Sequence, residues 1–166
     1  MRIIGGDKRG LKLADVGEGD AQAHLRPTTD RVRESIFNLL INGTHGNPVP
    51  GARVLDLFAG TGALGLEALS RGAARVAFVD DGTAARALLR QNIEKMRAMG
   101  VTDVWRRDAT NMGPCRGAGY DLIFLDPPYG LGLGERALAS CLQNGWIAPG
   151  ATVVREENTP PTAPAP

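Results

Sequence analysis

The stretch Val54-Leu55-Asp56-Leu57-Phe58-Ala59-Gly60-Thr61-Gly62-Ala63-Leu64-Gly65 decides the fold of this 166-residue chain. It opens with a short apolar run, which predicts a buried strand, and continues through glycines into a helical pattern. Its portion from Gly60 to Gly65 matches G-x-G-x-x-G, a spacing typical of the turn between a strand and a helix in α/β folds. We interpret residues 53–70 as the first strand, turn and helix of an α/β domain.

Strand and helix patterns alternate beyond this stretch. They predict strands over 76–79, 104–105, 120–125 and 151–154, and helices over 83–99 and 134–142. Such alternation predicts a doubly wound, mostly parallel sheet with helices on both faces. Ligands of such sheets bind beyond the carboxyl ends of the strands, so candidate site residues are those that follow each strand.

The two ends of the chain have other patterns. Residues 1–13 alternate weakly around a glycine turn, which predicts a short hairpin, and a helix begins near Pro27 with a Thr or Asp N-cap. The last nine residues hold four of the 11 prolines and exclude a central strand or helix. We divide the chain into an N-terminal hairpin, loop and helix (1–50), a core (51–157) and a proline-rich tail or truncation point (158–166).

Composition limits the class of protein. A chain of this length with 43% hydrophobic residues fits one soluble domain that needs no disulfide or metal to fold. Cys115 and Cys141 lie far apart, as is typical of reduced cytoplasmic thiols. No apolar run approaches the ~20 residues of a membrane span, and the N-terminus lacks a signal-peptide pattern. We therefore expect a cytoplasmic monomer without a membrane partner.

Asp56 distinguishes between the ligands that a glycine turn can bind. A carboxylate four residues before Gly60 repels the pyrophosphate of a dinucleotide, but it attracts the ammonium group of S-adenosylmethionine, which carries no phosphate. The alternative is a glycine turn that only links a strand to a helix. We predict S-adenosylmethionine as the cofactor, held at the turn by Asp56, Phe58, Ala59, Gly60, Thr61 and Gly62.

Further aspartates follow the next two predicted strands. Asp80 ends the second strand and is suited to accept hydrogen bonds from two ribose hydroxyls. Asp81 follows Asp80 and is also a candidate cofactor-binding residue, although strand alternation directs its side chain away from that of Asp80. Asp108 ends the third strand, where it is suited to an adenine amino group, with the backbone N–H of Ala109 facing a ring nitrogen. An exposed turn residue is the common alternative for each aspartate alone. Three strand-end carboxylates in register, counting Asp56, favour a site.

Asp126-Pro127-Pro128-Tyr129 is the most specific feature of the sequence. The prolines fix the backbone and remove two N–H donors, which leaves the Asp126 carboxylate and backbone carbonyls as rigid acceptors. Such acceptors would hold the exocyclic amine of a nucleobase and stabilise positive charge that develops on its nitrogen. Tyr129 offers a face on which a flipped base stacks. We assign the catalytic role to these four residues; the alternative is a proline-terminated strand with an incidental aromatic.

No metal is predicted. His24 and His45 lie in loop-like sequence without Cys or carboxylate neighbours at ligand spacing, so a solvated role is expected for both.

With these residues identified, the sequence resembles the bacterial RsmD family. The resemblance rests on four parts of the chain: Met1-Arg2-Ile3-Ile4-Gly5-Gly6 with Arg9-Gly10, Arg26-Pro27-Thr28-Thr29-Asp30-Arg31-Val32-Arg33-Glu34, the glycine stretch with Gly65-Leu66-Glu67-Ala68, and Asp126-Pro127-Pro128-Tyr129. The last two are shared by many amino methyltransferases and indicate the chemistry. The first two are more particular to the family.

The resemblance implies methylation of the N2 amine of a guanine in 16S rRNA, within the small ribosomal subunit or an assembly intermediate. It also implies a class I methyltransferase (Rossmann-like) fold whose seven-stranded sheet ends in an antiparallel strand. Two departures are present: Asp80 stands where many relatives have Glu, and the family's C-terminal β-hairpin is missing after the fifth strand. Without that hairpin the edge of the sheet is uncovered.

The charge balance permits an RNA partner. The formal net charge is only +1. Without the four candidate site carboxylates (Asp56, Asp80, Asp108 and Asp126), 14 of the 18 acidic residues remain against 19 basic ones, and the net charge of the rest of the chain is +5. The resemblance places the Arg-Pro-Thr segment, with Arg26 and Thr28, near the mouth of the active site. The candidate RNA-binding residues are Arg2, Lys8, Arg9, Arg26, Thr28 and Arg31.

Two other functions stay open at this point. Asp-Pro-Pro-Tyr does not distinguish between base amines, so an adenine-N6 or other amino methyltransferase acting on DNA or RNA is the first alternative. A module that binds cofactor or RNA without turnover is the second.

Overall fold

The computed structural model describes residues 1–15, 29–128 and 132–155. Its centre is a five-stranded parallel sheet formed by β1 (Arg53–Leu57), β2 (Arg75–Val79), β3 (Thr102–Trp105), β4 (Tyr120–Leu125) and β5 (Ile147–Arg155). The strand order is β3-β2-β1-β4-β5. The chain therefore winds outward from β1 to β3 and then returns to β4, so its direction of winding switches between β1 and β4. The carboxyl ends of these two strands flank the crevice where such sheets bind ligands.

In the described part of the chain, four α-helices cover the sheet: α1 (Asp30–Ile41), α2 (Ala63–Ser70), α3 (Thr83–Lys95) and α4 (Leu133–Gln143). One core cluster joins Phe37 of α1, Leu66 of α2 and Leu89 of α3 to one face of the sheet. The other cluster joins Ala137 and Cys141 of α4 to the opposite face. Helices on both faces of a parallel sheet confirm the predicted α/β class. Among the described residues, no helix has the length and apolar composition that a bilayer crossing requires.

Element boundaries differ from the predicted ones at α3 and β5. The α3 helix ends at Lys95 rather than near residue 99, and two residues later Arg97 has a positive φ of 54°. The last strand begins at Ile147, four residues earlier than predicted, and it includes Pro149. Proline is tolerated there because β5 pairs on one side only among the described strands.

Apolar residues at helical spacing predict the buried faces of two helices: Val32, Ile36, Leu39 and Leu40 in α1, and Ala84, Ala87, Leu88, Ile93 and Met96 in the helix predicted over 83–99, which contains α3. Part of each buried face differs from this prediction. Leu39 of α1 is 77% exposed, and the helix buries Arg33 and Phe37 instead. In α3 the side chain of Ala84 is exposed, whereas Leu89 and Asn92 are buried. Predicting the face from apolar residues failed at these positions because each helix buries one polar side chain that has partners elsewhere in the fold.

The N-terminal residues form the predicted hairpin as a single antiparallel bridge between Arg2 and Lys12. The hairpin docks on α2 through Glu67, whose buried carboxylate accepts hydrogen bonds from the backbone N–H groups of Ile4 and Gly5, both at 3.0 Å. Two guanidinium groups complete the set: Arg33 donates through Nε at 3.2 Å and Arg71 at 2.7 Å. Glu67 therefore ties the hairpin, α1 and α2 together.

Replacing Glu67 with Ala should destabilise the fold by about 3–5 kcal/mol, because the change leaves the fully buried Arg33 guanidinium without its buried partner. Urea unfolding followed by circular dichroism measures this loss. The matched control is Glu34→Ala on the exposed side of α1, which should change the free energy of unfolding by less than about 0.5 kcal/mol. Equal losses in the two variants would contradict the role of Glu67.

Candidate active site at the carboxyl edge of the sheet

The turn after β1 has an unusual backbone. Phe58 has a φ of 58°, and Gly60 and Gly62 have φ values of 59° and 85°. A positive φ at a residue with a Cβ atom costs roughly 1–2 kcal/mol, so Phe58 stores strain. The backbone N–H of Ala59 donates to the carbonyl of Val79 at 3.0 Å and holds the turn against β2. The strained segment lies at the switch between β1 and β4, where a ligand is expected.

The three glycines of the turn serve different purposes. A Cβ atom on Gly65 would lie 2.5 Å from the ring of Phe78, and one on Gly62 would lie 2.4 Å from Leu89. Gly65 therefore allows α2 to pack closely against β2, and Gly62 allows the turn to pack closely against α3. A Cβ atom on Gly60 would meet nothing within 4 Å. Gly60 is the glycine that presents bare backbone to open space, where a ligand can approach.

Asp56 is buried beneath the turn, with 2% of its surface exposed. Its Oδ2 accepts a hydrogen bond from the backbone N–H of Gly65, in the first turn of α2, at 3.0 Å. Burial raises the pKa of the Asp56 carboxyl well above its ordinary value, and the charges of Asp126 and Asp80 add to the rise. A buried carboxylate in this position favours a bound cation, which would replace the hydration that the charge has lost.

Asp80 connects the ends of β1 and β2. Its Oδ2 accepts from the backbone N–H of Gly60 at 2.9 Å, and its Oδ1 accepts from the N–H of Gly82 at 2.8 Å. Each carboxylate oxygen can accept a second bond, so both remain available to ribose hydroxyls. Asp81 is exposed next to it, whereas Asp80 is half-buried.

Asp126 directly follows β4, whose last residue, Leu125, is in register with Leu57 of β1. It is half-buried, and its charge raises the pKa of the Asp56 carboxyl. The structure therefore brings Asp56, Asp80 and Asp126 to one edge of the sheet. Pro127 packs beside the start of α4, since a Cβ atom on Gly134 would lie 3.4 Å from its Cγ. The partly exposed Pro128 follows it, and Tyr129 lies outside the described residues.

Asp108 does not end the third strand as predicted. β3 ends at Trp105, and Asp108 lies three residues further on in an exposed turn. Its Oδ1 accepts from the hydroxyl of Thr110 at 2.6 Å and from its backbone N–H at 2.8 Å, and these bonds lower the pKa of the Asp108 carboxyl. The strand ends before the aspartate because Arg106 and Arg107 do not pair with β2. Ala109, the next residue, is buried.

The predicted RNA-binding residues that the structure describes, Arg2, Lys8, Arg9 and Arg31, are all exposed. Arg2 and Lys12 are exposed partners in the antiparallel bridge, and Arg31 of α1 is exposed as well. Lys8 and Arg9 are in the hairpin turn, where the N–H of Lys8 donates to Ser70 Oγ, at the C-terminal end of α2. Arg26 and Thr28 lie outside the described residues. We add the exposed Lys12, which was not among the predicted residues, to the four described ones and call Arg2, Lys8, Arg9, Lys12 and Arg31 the basic surface.

Two residues near the site were not among those predicted from the sequence. Asn92 of α3 is fully buried and donates to the carbonyl of Thr61 in the glycine turn at 3.0 Å. Arg155, the last residue of β5, is in register with Leu125 and forms an ion pair with Glu135 of α4. Arg155 follows a predicted strand and could have been found by that rule. Asn92 could not, because its partners are distant in sequence.

Within the described part of the chain, no group of three or more His, Cys, Asp or Glu side chains is arranged to hold a metal ion. The carboxylates at the sheet edge are instead bonded to backbone N–H groups, as Asp56 and Asp80 show.

Comparisons with known proteins agree on one family. The family described as Conserved hypothetical protein 95 matches residues 1–165. The ribosomal RNA small subunit methyltransferase D of Escherichia coli (strain K12) is 40% identical over 168 residues, which cover 99% of this chain and 80% of that protein. Its namesake in Haemophilus influenzae is 35% identical over 160 residues, covering 94% and 78%. The solved structure of yhhF from Escherichia coli is 39% identical, with a TM-score of 0.75, and covers 99% of this chain and 86% of that one.

Replacing Gly65 with Ala should lower the free energy of unfolding by about 1–3 kcal/mol, because the added methyl group overlaps Phe78, Val76 and the Asp56 carboxylate. Thermal unfolding measures the change. Gly100→Ala is the control: it has no neighbour within 4 Å and a φ outside the left-handed region, so its transition should stay near that of the parent protein. A Gly65→Ala protein as stable as the control would contradict the close packing of Gly65 against its neighbours.

Proposed function

The chain belongs to the family of the ribosomal RNA small subunit methyltransferases D and is an rRNA methyltransferase, and we propose that it methylates the exocyclic N2 amine of a guanine in 16S rRNA with S-adenosylmethionine as the donor. The family match extends over residues 1–165, so it includes the hairpin, the glycine turn and the Asp-Pro-Pro segment. The proposed substrate is the RNA within the small subunit or an assembly intermediate. Such a substrate implies a cytoplasmic location.

The bond from Gly65 to Asp56 is the observation that supports this cofactor best. A dinucleotide site directs the N-terminal N–H groups of the helix at a pyrophosphate. Here the N–H of Gly65 is already donated to a buried carboxylate at 3.0 Å, and that negative charge opposes a second anion. A ligand with a cationic amino acid moiety has the complementary charge.

The other described residues of the turn fit S-adenosylmethionine as well. The open space at Gly60 admits the cofactor against bare backbone, and Asp80 has lone pairs left for the ribose hydroxyls. Asp108 and Ala109 remain the proposed adenine contacts, from the turn beyond β3. When bound, the cofactor supplies an electrophilic methyl group, and the residues of this chain orient the acceptor.

Asp126 and Pro127 are proposed to hold the acceptor amine. The carboxylate of Asp126 and the carbonyl of Pro127 would each accept one N–H of the amine, which aims the nitrogen at the crevice between β1 and β4. Pro127 and Pro128 have no N–H, so no backbone donor from these two residues competes for the same acceptors. The negative charge of Asp126 would also stabilise the positive charge that develops on nitrogen. We retain Tyr129 as the surface on which the flipped base stacks.

The basic surface supports an RNA partner. All five of its cations are exposed, and Asp30, the nearest acidic residue of α1, is bonded to the buried Arg33 at 2.8 Å. Opposite charges favour contact with a phosphate backbone, which positions RNA without reading its sequence. Selection of guanine would therefore depend on the crevice and on the shape of the RNA.

Labelled methyl transfer from S-adenosylmethionine to small ribosomal subunits that lack the modification tests the proposal. The parent protein should label one guanine, as determined by nucleoside analysis and mapping. Asp126→Ala should lower kcat by roughly 10²–10³-fold, because a preorganised acceptor of developing charge is lost, while cofactor affinity changes little. Asp103→Ala, which removes an exposed carboxylate from β3, is the matched control and should retain full activity.

The same assay separates the alternatives. Label in N6-methyladenine, with DNA and RNA substrates compared side by side, would replace the guanine assignment with an adenine methyltransferase. Binding of S-adenosylhomocysteine without label in any nucleic acid, and with no difference between the parent protein and Asp126→Ala, would favour a binding module without turnover.

Affinity for S-adenosylhomocysteine, which carries the same ammonium group, should fall as the pH is lowered through the pKa of Asp56. Burial raises this pKa, so the proton is taken up above the ordinary range of an Asp carboxyl, and the charge that attracts the ammonium is then lost. Calorimetry over pH measures the effect. Asp56→Asn should bind about 10–100-fold more weakly and without this pH dependence, since a hydrogen bond to a charged group contributes roughly 1.5–3 kcal/mol.

Asp108→Asn controls for the pH experiment. Bonds from Thr110 lower the pKa of Asp108, so its charge persists to lower pH and the variant should keep the pH dependence of the parent protein. An affinity of the parent protein that stays constant across the acidic range would contradict the proposed role of Asp56.

A further inference from the structure

Asn92 connects the N-terminal segment to the glycine turn. Its Oδ1 accepts from the backbone N–H of Ala14 at 2.6 Å, and its Nδ2 donates to the carbonyl of Ala14 at 3.0 Å. The same Nδ2 donates to the carbonyl of Thr61 at 3.0 Å. Ala14 lies 78 residues before Asn92 and Thr61 lies 31 before it, so one amide joins three distant parts of the chain.

The side chain cannot release one partner without disturbing the other. Asn92 is fully buried, and both hydrogens of its amide are in use, one toward Ala14 and one toward Thr61. Rotation of the amide would leave backbone groups of both segments without these bonds, and the contact with Thr61 is buried. The orientation of the Asn92 amide is therefore shared between the hairpin and the turn.

Packing reinforces this connection. Leu89, one helical turn before Asn92, lies against Gly62, where a Cβ atom would come within 2.4 Å of its Cδ1. From the other side, the Sδ of Met1 lies 4.0 Å from the hydroxyl of Thr61. Met1 at one end of the hairpin and Ala14 at the other therefore both lie near the glycine turn, and α3 packs against that turn.

We propose that Asn92 is a positioning residue that couples RNA binding at the N-terminal segment to cofactor binding at the glycine turn, so that each strengthens the other. The inference rests on the proposed function, which assigns RNA to the basic surface and S-adenosylmethionine to the turn. RNA that holds the hairpin in place also holds Ala14, the Asn92 amide and the Thr61 carbonyl. Thermodynamic linkage makes the effect reciprocal, and couplings of this kind are roughly 5–150-fold.

Equilibrium dialysis with labelled S-adenosylhomocysteine tests the coupling. The Kd is measured with and without a saturating amount of small ribosomal subunits that lack the modification. In the parent protein the subunits should lower the Kd at least about 5-fold. Asn92→Leu, of similar size but without hydrogen bonds, should bring the ratio of the two Kd values close to one. Asn92→Asp keeps the acceptor for Ala14 but loses both donors, and should also lose the coupling.

Gln91→Leu is the matched control, since Gln91 is the exposed neighbour on α3. It should keep the ratio of the parent protein. A merely structural role for Asn92 would lower the unfolding temperature and weaken both binding steps, but it would leave the ratio unchanged, which would overturn the inference. A ratio of one in the parent protein would overturn it as well.

Hydrogen exchange of the unaltered protein gives a second test that does not depend on the variants folding. S-adenosylhomocysteine should slow amide exchange in residues 13–15, and leave the exchange of the hairpin turn at residues 6–10 unchanged. Unchanged exchange at residues 13–15 would contradict the coupling.

The two levels of proposal fail differently. Absence of methyl transfer to the subunits, or of S-adenosylhomocysteine binding, would refute the proposed function. Methyl transfer with a coupling ratio that Asn92→Leu does not change would refute only the role of Asn92.

Discussion

The carboxylate of Glu67 is a full negative charge in the protein interior, and the position of the N-terminal segment depends on how the fold compensates it. Four donors converge on it from the hairpin, α1 and α2, including the guanidinium groups of Arg33 and Arg71. A buried charge that lost these partners would cost several kcal/mol, so the hairpin and α1 are required to dock on α2 in this one way. The same helix begins at the glycine turn, and its position therefore sets both the hairpin and the candidate site.

The carboxylates near the N-terminal end of α2, those of Asp56, Asp80 and Asp126, lie in a different electrostatic environment. Within the described residues no ion pair reaches Asp56, and its pKa is raised by burial and by the charges of Asp126 and Asp80. The strained φ of Phe58 lies in the same place. Electrostatic cost and backbone strain are thus concentrated at the switch between β1 and β4, where a cationic ligand would relieve the cost. The charge of Glu67 is compensated by ion pairs within the fold, whereas the charge of Asp56 has no described ion-pair partner and would be compensated by a cationic ligand.

Local patterns in the sequence predicted the parts of the structure that local forces determine. The bounds of α2, the N-cap at Thr29 and the strand that precedes Asp126 follow from apolar runs, capping preference and proline. The roles of Glu67 and Asn92 did not, because each bonds backbone of the N-terminal segment that lies more than 60 residues away along the chain. Periodicity also chose the wrong face for part of α3, since it cannot indicate that a buried asparagine bonds two distant backbone segments. Which residues contact ligands in the site stays a prediction.

The orientation of the hairpin determines how RNA would meet the candidate site. Its turn is bonded to Ser70 at the C-terminal end of α2, while Ala14 is bonded to Asn92 of α3, which also bonds Thr61 just before the N-terminal end of α2. The eight residues of α2 span about 12 Å. Lys8 and Arg9 therefore lie at the end of α2 that is remote from the glycine turn, where the proposed contact is with RNA phosphates and not with the methylated base. In the proposed arrangement the basic surface would supply affinity by binding the RNA backbone, and the crevice would supply the chemistry by holding the base amine. Because Ala14 and Thr61 both bond Asn92, the contact that would position the RNA and the contact that would position the cofactor share one side chain in the proposed arrangement.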